Sequence, residues 1–239
     1  MCGRFVSASP PSEIADYFGV DITGELEADE NYNVAPTDDV FVVYEDGGTR
    51  RLDAFRWGLV PSFAKDMKIG SRMINARGET LATNNSFKSS FAKRRCIVPA
   101  TGFYEWKVVA GSKTKQPYFI HRPDGEPYAF GGLWAQWRGV DASGEEVRLR
   151  STTIITGAPN ERMAELHDRM PLILPRSAWD EWLDQSVTDL AQVGRFLVPA
   201  PIDVIEFHPV STAVNNVRND GPQLAEPAEP IEGELTLGI

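Results

Sequence analysis

The middle of this 239-residue chain is crowded with short runs of β-branched and aromatic residues. CIVPATGFYEWK (96–107), QPYFIHRP (116–123), YAFGGLWAQW (128–137) and VRLRSTTIIT (147–156) follow one another with only turn-rich segments between them. Such runs read as strands, because branched and aromatic side chains fit a pleated, half-buried surface. DVFVVYE (39–45) and RRLDAFRW (50–57), separated by Asp46-Gly47-Gly48, add a β-hairpin. Helical patterns are fewer and shorter. PPSEIADYFG (10–19) sets Ile14, Tyr17 and Phe18 on one face and stops at Gly19. Residues 159–167, 177–185 and 187–197 are also helix-like, as are pieces of 77–93 around Asn84-Asn85. WGLVPSFAKD (57–66) reads as a loop and RMPLIL (169–174) as extended chain.

Strands and helices do not alternate as βαβ units, and no repeat or linker divides the chain. The pattern predicts an α+β fold: one compact domain over 1–218, with a mixed or antiparallel β-sheet core and short peripheral helices. The acidic, Pro-rich remainder, 219–239, predicts a loosely ordered tail.

Composition narrows the function classes. No stretch approaches the roughly 20 apolar residues of a membrane helix. MCGRFVSASPPSE lacks the basic segment and apolar run of a signal peptide, and two cysteines, Cys2 and Cys96, make no disulfide scaffold. A reducing, cytoplasmic setting is the expectation. Cysteines and histidines show no close ligand spacing, and no glycine-rich phosphate loop or GxSxG is present, so neither a metal nor a cofactor is expected. The net charge of −10 argues against a general nucleic-acid coat protein, but it is unevenly spread. Residues 51–121 hold 13 bases against 4 acids, between two acidic flanks. A basic middle third of this kind can gather on one face and bind a polyanion.

Several residues have the chemistry for a reaction. Loss of Met1 would leave Cys2 with an α-amine and a thiol on adjacent carbons, both partly nucleophilic near neutrality. Such an aminothiol condenses with an aldehyde to a thiazolidine, or attacks an amide as N-terminal nucleophiles do. His167, in HDRMP, is one of only three histidines and suits acid/base work. Glu105 sits within the aromatic strand GFYEWK, where burial would raise its pKa. Asn75 and Arg77, two apart in INARGET, share a face in extended chain, one able to orient a substrate and the other to grip a phosphate.

MCGRF, NYNVAP, WGLVPSF, INARGET, RRCIVPATGFYEWK, QPYFI, HDRMPLIL and HPVSTAVNNVRN, in that order, resemble the SOS-response-associated peptidase (SRAP) family of abasic-site processing proteins. The resemblance covers about nine tenths of the chain. It implies a single α+β domain, monomeric, that binds abasic sites in single-stranded DNA and crosslinks to them as a thiazolidine, joining the nucleoid when on DNA. By position, Cys2 resembles the crosslinking nucleophile, Asn75 the group that orients the opened sugar, and Glu105 and His167 the acid/base pair. Arg4, Arg77 and Arg169 resemble phosphate or sugar contacts, and Asn33 a pocket residue. Trp57, Phe63 and Trp106 are candidates for base stacking. Where the family's loop after WG often carries a tryptophan pair, this chain reads PSFAKD, which leaves Phe63 to act as the wedge. Two other readings share some of these features: an N-terminal-cysteine amidohydrolase, and a non-catalytic single-strand binding protein that has no need of Cys2.

Overall fold

Two sheets carry the site, and each is assembled from strands far apart in sequence. The computed structural model describes residues 2–24, 28–140 and 144–231. In chain order the strands are β1 (Phe5–Ser7), β2 (Ile22–Thr23), β3 (Asn31–Val34), β4 (Asp39–Asp46), β5 (Thr49–Trp57), β6 (Asn75–Arg77), β7 (Arg95–Ala100), β8 (Gly102–Lys107), β9 (Gln116–His121), β10 (Tyr128–Val140), β11 (Glu146–Gly157), β12 (Met170–Pro171) and β13 (Glu206–Pro209). The first sheet runs β13-β9-β8-β1-β3, and the second β12-β11-β10-β7-β4-β5-β2 with β6 beside β11. A parallel contact of β5 with β11, Ser151 opposite Arg56 and Thr152 opposite Trp57, curls the second sheet back on itself. The expected α+β fold on a mixed sheet is thus observed.

The hairpin read from sequence is present, with β4 antiparallel to β5 from Asp39–Arg56 to Asp46–Thr49. Gly47 and Gly48 both have positive φ (60° and 79°), as a type I′ turn requires. Val40–Tyr44 is a continuous apolar run, not alternating, because β4 is buried there on both faces. Val40, Val42 and Tyr44 join a core shared with Phe5, Phe103 and Ile120 of the first sheet. Phe41 and Val43 join a second core, covered by Ile14 and Phe18, Phe91, and Trp179 and Trp182. Those covering residues lie on three short helices, α1 (Pro11–Phe18), α2 (Lys88–Lys93) and one we number α4 below.

The remaining helices are shorter than the sequence pattern suggests. α3 (Glu161–Ala164) begins where Asn160 Oδ1 accepts from Met163 N at 2.8 Å. α4 (Trp179–Leu183) and α5 (Leu190–Gly194) occupy only parts of 177–185 and 187–197. NYNV, despite two asparagines that favour turns, forms β3: pairing with β1 overrides their local preference.

The tail expectation is corrected as far as residue 231. Leu224 is buried, Val210 bridges Pro227, His208 Nε2 lies 2.8 Å from the Ala225 carbonyl, and Ile231 N donates to Gln116 Oε1 at 2.7 Å. One apolar anchor and several backbone bonds outweigh the acidic, Pro-rich composition. Residues 232–239 lie outside the described residues.

Candidate active site

Cys2 lies three residues before β1 and is fully buried. β1 lies antiparallel to β8 with Phe5 opposite Phe103, and Tyr104 N donates to the Arg4 carbonyl at 3.0 Å. Continued by two residues, that register sets Glu105 opposite Gly3, next to Cys2. β6 enters from the other sheet, parallel to β11, with Asn75 opposite Ile154 and Arg77 opposite Thr156. Asn75 Nδ2 donates to the Cys2 carbonyl at 2.8 Å, while its buried Oδ1 has no hydrogen-bond partner among the described residues. An orphaned, buried acceptor costs about 1–3 kcal/mol and points to a donor supplied by a ligand. His167 follows α3 and keeps 27% of its side chain exposed.

Electrostatics tie these residues together. Burial pushes the Cys2 thiol above its ordinary range, and the nearby Glu105 charge pushes it further, so the sulfur is held as a neutral thiol. Burial also raises the Glu105 carboxyl, toward its protonated form, and the charge of His167 pulls it partly back. The His167 Nδ1 is occupied by its own loop: Arg169 N donates to it at 3.0 Å, and Asp168 Oδ1 lies 2.8 Å away. The two contacts demand opposite states of Nδ1, a lone pair for the amide and a proton for the carboxylate. One of the two contacts is therefore met at a time, according to whether Nδ1 carries a hydrogen. Four residues expected to carry chemistry, from four separate segments, meet in one place.

The expected DNA contacts divide. Arg77 is exposed and, among the described residues, makes no ion pair or hydrogen bond through its guanidinium. Arg169 is engaged: it donates to both Glu79 oxygens (2.7 and 3.0 Å) and to the Thr156 carbonyl (2.6 Å). Phe63 is 66% exposed, on a loop pinned where Gly58, at φ 122°, lets its backbone approach that of Gly70. Trp106 is half-buried, with Nε1 donating to Asn215 Oδ1 at 2.7 Å and Arg4 over its ring.

Two expectations are corrected. Trp57 is fully buried, edge-on to Phe5, and its Nε1 donates to the Ile74 carbonyl. No base can stack on it, and its task is to set the approach to Asn75. Asn33 is 2% exposed; it accepts from Arg4 and donates to the carbonyls of Val214, Asn216 and Asn219. It therefore holds the 212–219 segment and Arg4 from behind and does not meet a ligand.

A family model described as SOS response associated peptidase (SRAP) matches residues 1–217. The chain belongs to this family. Abasic site processing protein YoqW of Bacillus subtilis is 41% identical over 227 residues, covering 95% of this chain and 99% of the relative. Abasic site processing protein YedK of Escherichia coli is 34% identical, covering 95% and 100%. Abasic site processing protein HMCES of Rattus norvegicus is 35% identical, over 77% of this chain and 59% of its own length. Among solved structures, a protein from Bacteroides thetaiotaomicron superposes with a TM-score of 0.82 at 23% identity, over 95% of this chain and all of the other. That likeness concerns the SRAP fold.

Among the described residues, no three His, Cys, Asp or Glu side chains lie together as a metal site requires, and no helix is long and apolar enough to cross a membrane. Two participants in this SRAP site escaped the sequence reading. Glu79 lies two residues beyond Arg77 in INARGET and was a legible acid beside a cation. Thr156, buried at the end of a strand run, had no sequence signal, because only the β11–β12 pairing, with Thr156 opposite Pro171, brings it to Arg169.

Proposed function

We propose that this SRAP protein processes abasic sites in single-stranded DNA by forming a thiazolidine crosslink through Cys2. The observation that carries the reading is the meeting of Asn75, Glu105 and His167 at a buried residue 2, a position where chain termini are commonly frayed. The names of the relatives support it.

Release of Met1 gives Cys2 its α-amine. Glu105, held toward its acid form, donates to the ring oxygen of the abasic sugar and frees the aldehyde. The amine lone pair adds to the aldehyde carbon, and the oxygen takes a proton to give a carbinolamine. A second proton to that oxygen expels water and leaves an imine. The thiol sulfur then bonds to the imine carbon, the π electrons move to nitrogen, and the thiol proton follows through His167. Aldehyde and aminothiol thus give thiazolidine and one water, with no oxidant or reductant. The neutral thiol suits this order, since the amine attacks first and the thiol retains the proton it must later give to nitrogen. Asn75 holds the Cys2 carbonyl, which fixes the amine. Arg77 and Phe63, both exposed, take a phosphate and a base in this reading.

The test is to incubate the full chain with a single-stranded oligonucleotide bearing one abasic site. The expected product is a heat-stable adduct of the summed masses less one water, mapped to the N-terminal peptide and absent from Cys2→Ala. Glu105→Gln and His167→Ala should form it on the order of 10²-fold more slowly with nearly unchanged DNA affinity. An adduct mapped to a lysine or to Cys96 overturns the proposal.

A further inference from the structure

Past Arg77 and Arg169 the two catalytic segments run on into a pocket that none of the four reacting side chains lines. Its volume is about 280 Å³. Gly78 and Glu79, directly after Arg77, form one wall, and Met170 and Leu172, directly after Arg169, form another. Ile155 and Val198 complete it, the latter 60% exposed at the rim. Glu79 is the one charged residue in a lining that is otherwise mostly aliphatic. From Asn75 to Glu79, and from His167 to Met170, the chain advances three or four residues. At no more than about 3.3 Å per residue, the pocket wall lies within roughly 13 Å of Asn75 and His167 along the chain. One internucleotide step together with the reach of a base turned out from its sugar spans that distance. Arg77, exposed and unpaired, stands between the two places, where the connecting phosphate would pass.

We propose that this pocket receives the nucleobase adjacent to the abasic nucleotide, turned out of its strand. The inference rests on the abasic-site reading above. A flipped base is held between apolar walls with polar groups at its edge, and the pocket has that composition. The Glu79 oxygens keep spare lone pairs beyond their Arg169 bonds. They can accept from the exocyclic amine of adenine, cytosine or guanine, which thymine lacks. Because its walls are aliphatic, the pocket separates a base from the neighbours on which it stacks without offering it a ring.

Gly157 also lines the pocket. A Cβ there meets nothing within 4 Å, and its backbone is not left-handed, so Gly157→Leu fills the space without backbone strain. The test uses abasic oligonucleotides with 2-aminopurine placed on the 5′ or the 3′ side of the lesion. Adduct formation at Cys2 is read on gels, and 2-aminopurine emission is read in the adduct. For the wild-type chain, emission should rise above the stacked-strand level from one flank and not the other. Gly157→Leu should still form the adduct, lose that rise, and bind the abasic strand on the order of tenfold more weakly. Val198→Asp, at an exposed position, provides the same comparison if the filled variant does not fold. Adduct formation with emission equal in wild type and variants on both flanks overturns the pocket assignment alone. No adduct from the wild type overturns the abasic-site reading and the pocket assignment with it.

Discussion

Asn75 donates to the backbone carbonyl of Cys2 at 2.8 Å, which makes a side chain from the second sheet the anchor of the chain's second residue. An N-terminal nucleophile is useful only if its otherwise frayed end is held, so this bond orders the reacting group before DNA arrives. Asn75→Ala should slow adduct formation by tenfold or more, with about 1 kcal/mol lost in stability. Asn75→Asp should be worse, because it removes the donor and adds an anion to a buried site that already holds Glu105. Single-turnover crosslinking, with urea unfolding as the stability control, checks both. Equal rates for Asn75→Ala and wild type would show that the N-terminus is ordered without it.

Glu105 should make both rate and stability depend on pH. Burial raises its pKa, so the folded protein binds its proton more tightly than the unfolded chain. Stability is therefore highest where Glu105 is protonated in both states, and it falls as pH rises through the folded-state value. Glu105→Gln should abolish this step and be the more stable protein on its alkaline side. In crosslinking, the wild-type rate should fall over the same range as the acid is lost, and the slower variant should lack that limb. Urea titrations and adduct rates across the neutral range measure the two effects. Coincident stability curves would place Glu105 outside the buried charge budget of the fold.

The C-terminal segment should behave as part of the domain. Leu224 is 2% exposed, beyond the point where the family match ends at residue 217. Leu224→Ala should cost about 2 kcal/mol in urea unfolding. Truncation after Arg218 should cost more, since it also removes Asp220, whose carboxylate accepts from Tyr32 N at 2.7 Å, and the Val210–Pro227 pairing.

The strands were legible because β4, β7 and the first half of β10 are buried on both faces and written in nearly continuous apolar runs, while β11 shows its β-branched residues over Thr152–Thr156. Three of the four candidate residues were legible because their chemistry is rare in this chain: a cysteine at position 2, one of three histidines, one carboxylate among aromatics; Asn75 was legible from its spacing to Arg77. What sequence concealed depends on pairings between distant segments. Trp57 and Phe63 are both aromatic and six residues apart, yet one is buried against Phe5 and the other exposed on the loop that follows. Asn33 carries the same side chain as Asn75, but its neighbours are three carbonyls of a segment about 180 residues away. Hydrogen-bonding capacity is visible in a residue type; whether the protein has already used that capacity is visible only in the fold.

That distinction decides what Arg169 can do. Its guanidinium is held by both oxygens of Glu79, and this pairing lowers the Glu79 carboxyl below its ordinary range, so the acid is ionised at neutral pH. A DNA phosphate approaching Arg169 must therefore compete with a carboxylate already in place, whereas Arg77 is open. Arg77→Ala should flatten the salt dependence of single-strand binding by a log–log slope of about 0.7, the share of one phosphate. Arg169→Ala should flatten it by less. Glu79→Gln keeps the shape and removes the competing charge, so it should tighten binding at low salt and steepen the slope toward one further phosphate contact. The Thr156 carbonyl, 2.6 Å from the same guanidinium, should keep Arg169 in position in that variant. Binding isotherms from low to moderate salt on the three variants separate the roles. If Glu79→Gln leaves both affinity and slope unchanged, Arg169 belongs to the scaffold that carries His167, and Arg77 alone grips the backbone there.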